Sequence, residues 1–164
     1  MGEILPNSTK KKSSYRMKIE VIPIQIHQPE WAFVRQIRYE VFVVEQKVDL
    51  EEEYDEFEET SHHFLALANG QPVGTARWRT TEKGYKLERF AVLEQFRGKQ
   101  VGNEILHAVL EEVIPKAKAD SKLIYLHAQL QALPFYAKQG FEPYGLEFDE
   151  ANIMHRAMHL LPKS

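Results

Sequence analysis

The segment best placed to do chemistry is Gln95-Phe96-Arg97-Gly98-Lys99-Gln100-Val101-Gly102. It follows an extended run, Leu87-Glu88-Arg89-Phe90-Ala91-Val92, and precedes an amphipathic stretch. Strand, glycine-bearing loop and helix in that order suit an anion. The first N–H groups of a helix have no partner inside it, and the helix dipole adds partial positive charge there. Gly98 and Gly102 permit unusual backbone angles and close approach. Arg97 and Lys99 add full charges. A pyrophosphate fits such a cradle; the plainer alternative is a strand–turn–helix connection whose basic side chains face water. Neither G-x-x-x-x-G-K-[ST] nor G-x-G-x-x-G with a later acidic residue is present, so a kinase or a dehydrogenase is unsupported.

Other chemistries find little support. There is no cysteine, which excludes disulfides, a thiolate nucleophile and cysteine-held metals. No G-x-S-x-G points to a serine hydrolase. His155 and His159 stand four apart and would share a face of a strand, but there is no H-E-x-x-H and no third ligand, so no metal is expected. Trp31 and Trp78 read as packing residues.

The elements that must position the loop follow from pattern. Met17 begins regular structure, and Lys18 to Ile24 alternates enough for a strand. Trp31, Val34, Ile37, Val41 and Val44 recur at three- and four-residue steps, one face of a helix. Asp49 to Glu59 is strongly acidic, either a solvated stretch or a rim that attracts a cationic amine. His63 to Ala68 reads as a strand, Asn69-Gly70 as a hairpin turn, Pro72 to Thr81 as the returning strand, and Tyr85 to Val92 as a third. Gly102 to Lys118 is helical, with Ile105, Leu106, Val109, Leu110 and Val113 as its apolar stripe. Leu123 to Ala128 is a strand, Leu133 to Gln139 a short helix ended by Gly140, and extended chain follows from Phe141, with a last strand over Ile153 to Leu160. The sum is one mixed α/β or α+β domain over residues 17–164, a sheet with helices packed on it.

Composition agrees. The chain has 164 residues, 43% hydrophobic and 27% charged, enough for one globular domain with its own core. Residues 1–16 are polar and lysine-bearing and read as a mobile arm, without the apolar region of a secretory signal. No run approaches the roughly 20 apolar residues of a membrane span, so no membrane association is expected, and the lack of cysteine fits a reducing cytoplasm. A net charge of −3 argues against a nucleic-acid partner; the arm's Lys10 to Lys12 is the feature that would speak for one.

Three motifs carry a family resemblance. Arg97-x-x-Gln100-x-Gly102 is similar to the Q/R-x-x-G-x-G/A loop of the GNAT superfamily of N-acetyltransferases, with Gln100 where glycine is usual. Glu88-Arg89-Phe90-Ala91-Val92 resembles that family's cofactor-binding strand. His127-Ala128-Gln129 and Phe135-Tyr136-x-x-x-Gly140-Phe141 resemble its next strand and its FY-x-x-x-GF signature. All three stand in the family's order. Arg38-Tyr39-x-Val41-Phe42-Val43-Val44-Glu45-Gln46, His63-Phe64-Leu65-Ala66 and Ile153-x-His155-x-x-Met158 further resemble the ElaA-type subgroup.

The resemblance implies a GNAT-like, mostly antiparallel sheet with splayed central strands. Acetyl-CoA would lie in the splay. Backbone groups of Phe90, Ala91 and Val92 would pair with its pantetheine arm, Gln129 would touch that arm, and Arg97, Gly98, Lys99, Gln100, Val101 and Gly102 would hold the pyrophosphate. An amine would attack the thioester directly. Tyr136 matches the family's general acid, and its phenol, with an ordinary pKa of about 10, stays protonated near neutrality. For the base, Glu88 comes first, with His155 and His63 as rivals because histidine titrates near neutrality. Three rival functions stay open: a domain that binds acyl-CoA without turnover, a transferase of longer acyl chains, and a nucleic-acid binder acting through the arm. A homodimer built on the final strands is a further expectation.

Overall fold

The computed structural model describes residues 17–161; the mobile arm expected over residues 1–16 lies outside them. Among the described residues, seven strands form one sheet: β1 (Ile19–Ile24), β2 (His62–Ala68), β3 (Gln71–Thr80), β4 (Gly84–Val92), β5 (Leu123–Gln129), β6 (Phe141–Glu150) and β7 (Ile153–Leu160). Their order is β1-β2-β3-β4-β5-β7-β6. All neighbours are antiparallel except β4 and β5. The predicted meander is β2-β3-β4, and Asn69 and Gly70 both take the left-handed conformation its first turn needs. The parallel pair requires a crossover, supplied by α3 (Val101–Asp120).

The apolar stripe of α3 is buried as its spacing predicts: Ile105, Leu106, Val109 and Val113 are inaccessible to solvent. They pack with Phe64, Ala66, Trp78, Leu87, Leu126 and Met158 on one face of the sheet. Under the other face, Val34 and Ile37 of α1 (Trp31–Arg38) and Val41 meet Ile24, Leu65, Ala91 and Leu93.

The first helix departs from expectation. It is an α-helix only to Arg38, and Tyr39–Glu45 continues as a π-helical segment. Bonds from i to i+5 widen each turn, so the face defined by Val34, Ile37 and Val41 rotates away from Val44. That residue is exposed, not buried. A short α2 (Leu50–Glu53) and, later, α4 (Leu133–Ala137) complete the α-helices of the described residues.

Candidate active site

The site begins where two parallel strands part. β4 pairs with β5 only from Gly84 to Leu87. Gly84 pins the closed end, since a Cβ there would stand 2.1 Å from the Leu123 carbonyl oxygen. Beyond Leu87 the strands diverge, and β5 gives His127, Ala128 and Gln129 to β7. The cause sits in β4: opposite β3, two residues, Arg89 and Phe90, occupy the space of Ala76. This is a β-bulge, which bends and twists its strand. Arg89 takes a left-handed conformation there, φ 59°, with its guanidinium over the Glu53 carbonyl and 3.3 Å from Asp55. Past the bulge, the β5-facing edge of Phe90, Ala91 and Val92 has no strand partner among the described residues.

A cleft of about 740 Å³ follows this parting. The loop Arg97–Gly102 borders it at the start of α3. The first turn of α3 has no side-chain cap, so its N–H groups remain for an anion. Gly98 has φ 73°, as a glycine of this loop was expected to. Gly102 is instead ordinary helix, and the second left-handed residue is Gln100, φ 72°. That is the position where the motif that this loop resembles has glycine. Arg97 is half exposed and pairs with Glu45 at 3.0 Å, while its Nε donates to the Val92 carbonyl at 2.9 Å. Lys99 lies over the Phe96 ring, 5.8 Å away, and outside the cleft wall. Gln129 lines the cleft and donates to Gln46 at 2.8 Å.

Tyr136 stands in the cleft wall, 7% exposed. The rings of Phe90, Phe135 and Phe141 meet it edge to face at 5.0–5.9 Å. Burial pushes its phenol above the ordinary value, so the proton stays on near neutrality.

The candidate bases separate. Glu88 lines the cleft but is held by cations: Arg77 at 3.0 Å, Lys86 at 3.6 Å, and Arg79 in close contact. Burial works to raise its pKa, yet Arg77, Lys86 and Arg79 together bring it below the usual carboxylate value. A carboxylate so held is a weak proton acceptor. His63 is not in the cleft wall. It is buried against the Trp31 ring, bonded to the Glu58 carbonyl at 2.8 Å, and burial lowers its pKa. His155 is in the wall. Its Nδ1 lies 2.6 Å from the Ile153 carbonyl oxygen. A carbonyl only accepts, so Nδ1 carries a proton, and in the neutral ring Nε2 is the nitrogen with the lone pair, facing Glu150 at 3.7 Å.

Among the polar cleft residues that the sequence does not mark as site residues, Gln46, His127 and Glu150 matter most. Gln46 follows the π-helical segment, whose irregularity leaves no periodic signal. Glu150 lies 3.5 Å from His127 Nδ1 and 3.7 Å from His155 Nε2. Glu150 and His127 could have been found only from the pairing of β5, β7 and β6, which brings residues 127, 150 and 155 together.

The acidic stretch is not a free rim. Glu53, Asp55 and Glu58 turn inward to Arg38 and Arg77. Arg38 and Arg77 are almost wholly buried. Burial works against the charge of Arg38, but hydrogen bonding to Glu58 and the charges of Glu53 and Glu58 raise its pKa further. Glu51, Glu52, Glu56 and Glu59 stay at the surface or near it.

Comparison with known proteins points one way. A sequence model of the acetyltransferase (GNAT) domain matches residues 25–162. YjcF of Bacillus subtilis, described as an uncharacterized N-acetyltransferase, is 42% identical over 125 residues, 74% of this chain and 86% of that protein. The crystal structure of Escherichia coli ElaA is similar, with a TM-score of 0.77 and 26% identity over 88% of this chain and 100% of that one. An acyl-CoA N-acyltransferase from Pseudomonas aeruginosa shares the fold, with a TM-score of 0.74 at 24% identity over 88% and 100% of the two chains.

Proposed function

The chain belongs to the GNAT acetyltransferase family, and from that premise we propose that it moves an acetyl group from acetyl-CoA directly to a primary amine. The observation that carries the reading is the parting of β4 from β5, which leaves the backbone of Phe90 to Val92 unpaired beside an uncapped helix start. A molecule with an amide-bearing arm and a pyrophosphate satisfies both at once: the arm takes the strand edge and the pyrophosphate takes the first turn of α3. Arg97, Gly98, Gln100, Val101 and Gly102 border that end, and Gln129 faces the arm. Lys99 contributes from outside the wall, as a charge.

The acetyl thioester supplies an electrophilic carbonyl. An alkylammonium, with a pKa of about 10.4, must first lose a proton, and His155 Nε2 receives it. The carbon–nitrogen bond forms as the carbon–sulfur bond breaks. Tyr136 protonates the departing sulfur and recovers its proton from the new amide nitrogen. The net yield is one amide, one thiol and one proton released to water. Glu88, locked by three cations, anchors the bulged strand rather than serving as the base.

Calorimetric titration with acetyl-CoA, followed by thiol release on adding amines, tests this. Wild type should bind, and Arg97→Glu should bind at least about tenfold more weakly, since it sets a charge against the pyrophosphate. Tyr136→Phe should bind nearly as wild type but turn over roughly 10²- to 10⁴-fold more slowly. No binding by wild type would return the loop to an ordinary turn. Binding without thiol release for any amine would leave a binding module in place of an enzyme.

A further inference from the structure

The acceptor is open in the reading above, and one corner of the cleft bears on it. Glu150 ends β6, and its backbone pairs with Ile153 across a two-residue turn. Ala151 and Asn152 are both left-handed, φ 53° and 62°, the geometry of the hairpin turn that continues strand twist. The Asn152 N–H donates to Asp149 at 3.1 Å. The turn fixes where the Glu150 carboxylate stands: between the imidazoles of His127 and His155, in the cleft wall and 46% exposed.

The carboxylates lining the cleft differ in their partners. Glu53 is held by Arg38, with Arg89 at 3.8 Å. Glu88 has three cations, and the Lys86 ammonium lies against it. Glu52 is exposed on α2. Glu150 meets no lysine or arginine within ion-pair distance among the described residues, only the two imidazoles. It is nevertheless ionised near neutrality: hydrogen bonding to His127 outweighs burial and brings it down to about 2. The Phe148 ring stands beside both imidazoles, edge-on to His127 at 5.0 Å and stacked on His155 at 6.0 Å. A carboxylate without a lysine or arginine partner, beside two imidazole rings that line the cleft and are backed by Phe148 outside its wall, offers a charge and flat ring surface together.

Resting on the transferase reading, we propose that Glu150 docks the ammonium of the acceptor, and that the acceptor is a primary amine on a flat apolar body with no carboxylate beside the nitrogen. Ring faces attract a cation and pack a flat apolar group, while Glu150 gives the ammonium its counter-charge. The docked ammonium lies next to His155 Nε2, the atom that takes its proton. A carboxylate on the same carbon would face Glu150, and Lys86, whose charge reaches Glu150, is already engaged by Glu88. The acceptor class is therefore the aralkylamine and not the amino acid.

Steady-state thiol release with 2-phenylethylamine, phenylalanine and butylamine tests the assignment. For wild type, phenylethylamine should exceed phenylalanine in kcat/KM by about 10-fold or more, the cost of setting the amino-acid carboxylate against the half-exposed Glu150 carboxylate. It should exceed butylamine by roughly 3- to 30-fold, the worth of the ring contacts. Glu150→Gln should raise KM for phenylethylamine about 10- to 100-fold, the loss of a charge-assisted contact, with a far smaller change in kcat. Glu150→Asp should recover part of that loss. Acetyl-CoA affinity, read by calorimetry, reports whether each variant is folded.

Phenylalanine accepted as well as phenylethylamine would overturn the proposal on wild type alone. A folded Glu150→Gln with unchanged KM would overturn it too, and in both cases amine acetylation itself would stand. Wild type that binds acetyl-CoA but acetylates none of the three and no other amine would remove the transferase reading, and this one with it.

Discussion

A left-handed glutamine opens α3. Gln100 holds φ 72° and ψ 4°, a conformation that costs a residue with a Cβ roughly 1–2 kcal/mol. Glycine escapes that cost but loses more chain entropy on folding, about 0.5–1 kcal/mol relative to alanine. Its side chain also accepts a hydrogen bond from Asn103, which glycine would forfeit. The strain is the larger quantity, so Gln100→Gly should raise the melting temperature by about 1–4 °C, and Gln100→Val should lower it. A fall with glycine would mean that the Gln100–Asn103 contact outweighs the backbone. Sequence alone marked this residue, because glycine was the expected type in a loop whose other left-handed residue, Gly98, it named correctly. Tyr136, Glu88 and His155 were legible as candidates in the same way, by type and motif. The general-acid reading of Tyr136 comes with its motif; the choice between Glu88 and His155 as base does not. The three cations around Glu88 come from β3 and β4, and the Nε2 lone pair of His155 is set by a carbonyl two residues away; neither has a one-dimensional trace. Glu150 had no motif at all.

At the level of elements, the π-helical segment reaches over the cleft. Its last residue, Glu45, pairs with Arg97, and Gln46 just beyond accepts from Gln129. Both partners are residues expected to meet acetyl-CoA, so the segment competes for them. An exposed pair of this kind is worth about 0.2–1 kcal/mol. Glu45→Gln should therefore tighten acetyl-CoA binding by roughly 1.5- to 5-fold. In an Arg97→Ala background the same change should have no effect, and a calorimetric double-mutant cycle isolates the coupling. Equal effects in both backgrounds would show that Glu45 acts on the ligand by charge alone. Apart from the end of β6, the strand bounds are legible in the sequence to within one or two residues, because alternation and turn residues mark them. The π-helical segment was not, since apolar residues three and four apart fit an α-helix until a widened turn shifts Val44 outward. The parting of β4 and β5 depends on a bulge at Arg89, and arginine gives no sign of a left-handed residue.

Over the whole molecule, buried charge decides how stability responds to acid. The sheet face beneath α1 carries Arg38 and Arg77 with Glu53, Asp55, Glu58 and Glu88, a network joining α1, the acidic stretch, β3 and β4. The acidic run reads as solvated from its composition, since nothing in it announces that two distant arginines will be buried above it. His63 sits beside this network, facing Glu58, Arg38 and Arg77. Burial holds its pKa below the ordinary value despite the nearby Glu58 carbonyl and carboxylate. The unfolded chain takes up a proton near pH 6.5 that the folded chain resists, so folding free energy is full above that pH and falls as pH drops through it. The carboxylates of Asp55, Glu88 and Glu150 are depressed in the folded state. Their contribution is present above the unfolded value near 4 and is lost as pH falls further. Melting temperature should accordingly decline in two stages, a shallow one below about pH 6.5 and a steeper one below about pH 4. His63→Gln, whose amide can still donate to the Glu58 carbonyl, should remove the first stage and keep the second. Melts at half-unit steps from pH 8 to pH 3 separate them, and an upper stage that survives in His63→Gln would assign it to another histidine.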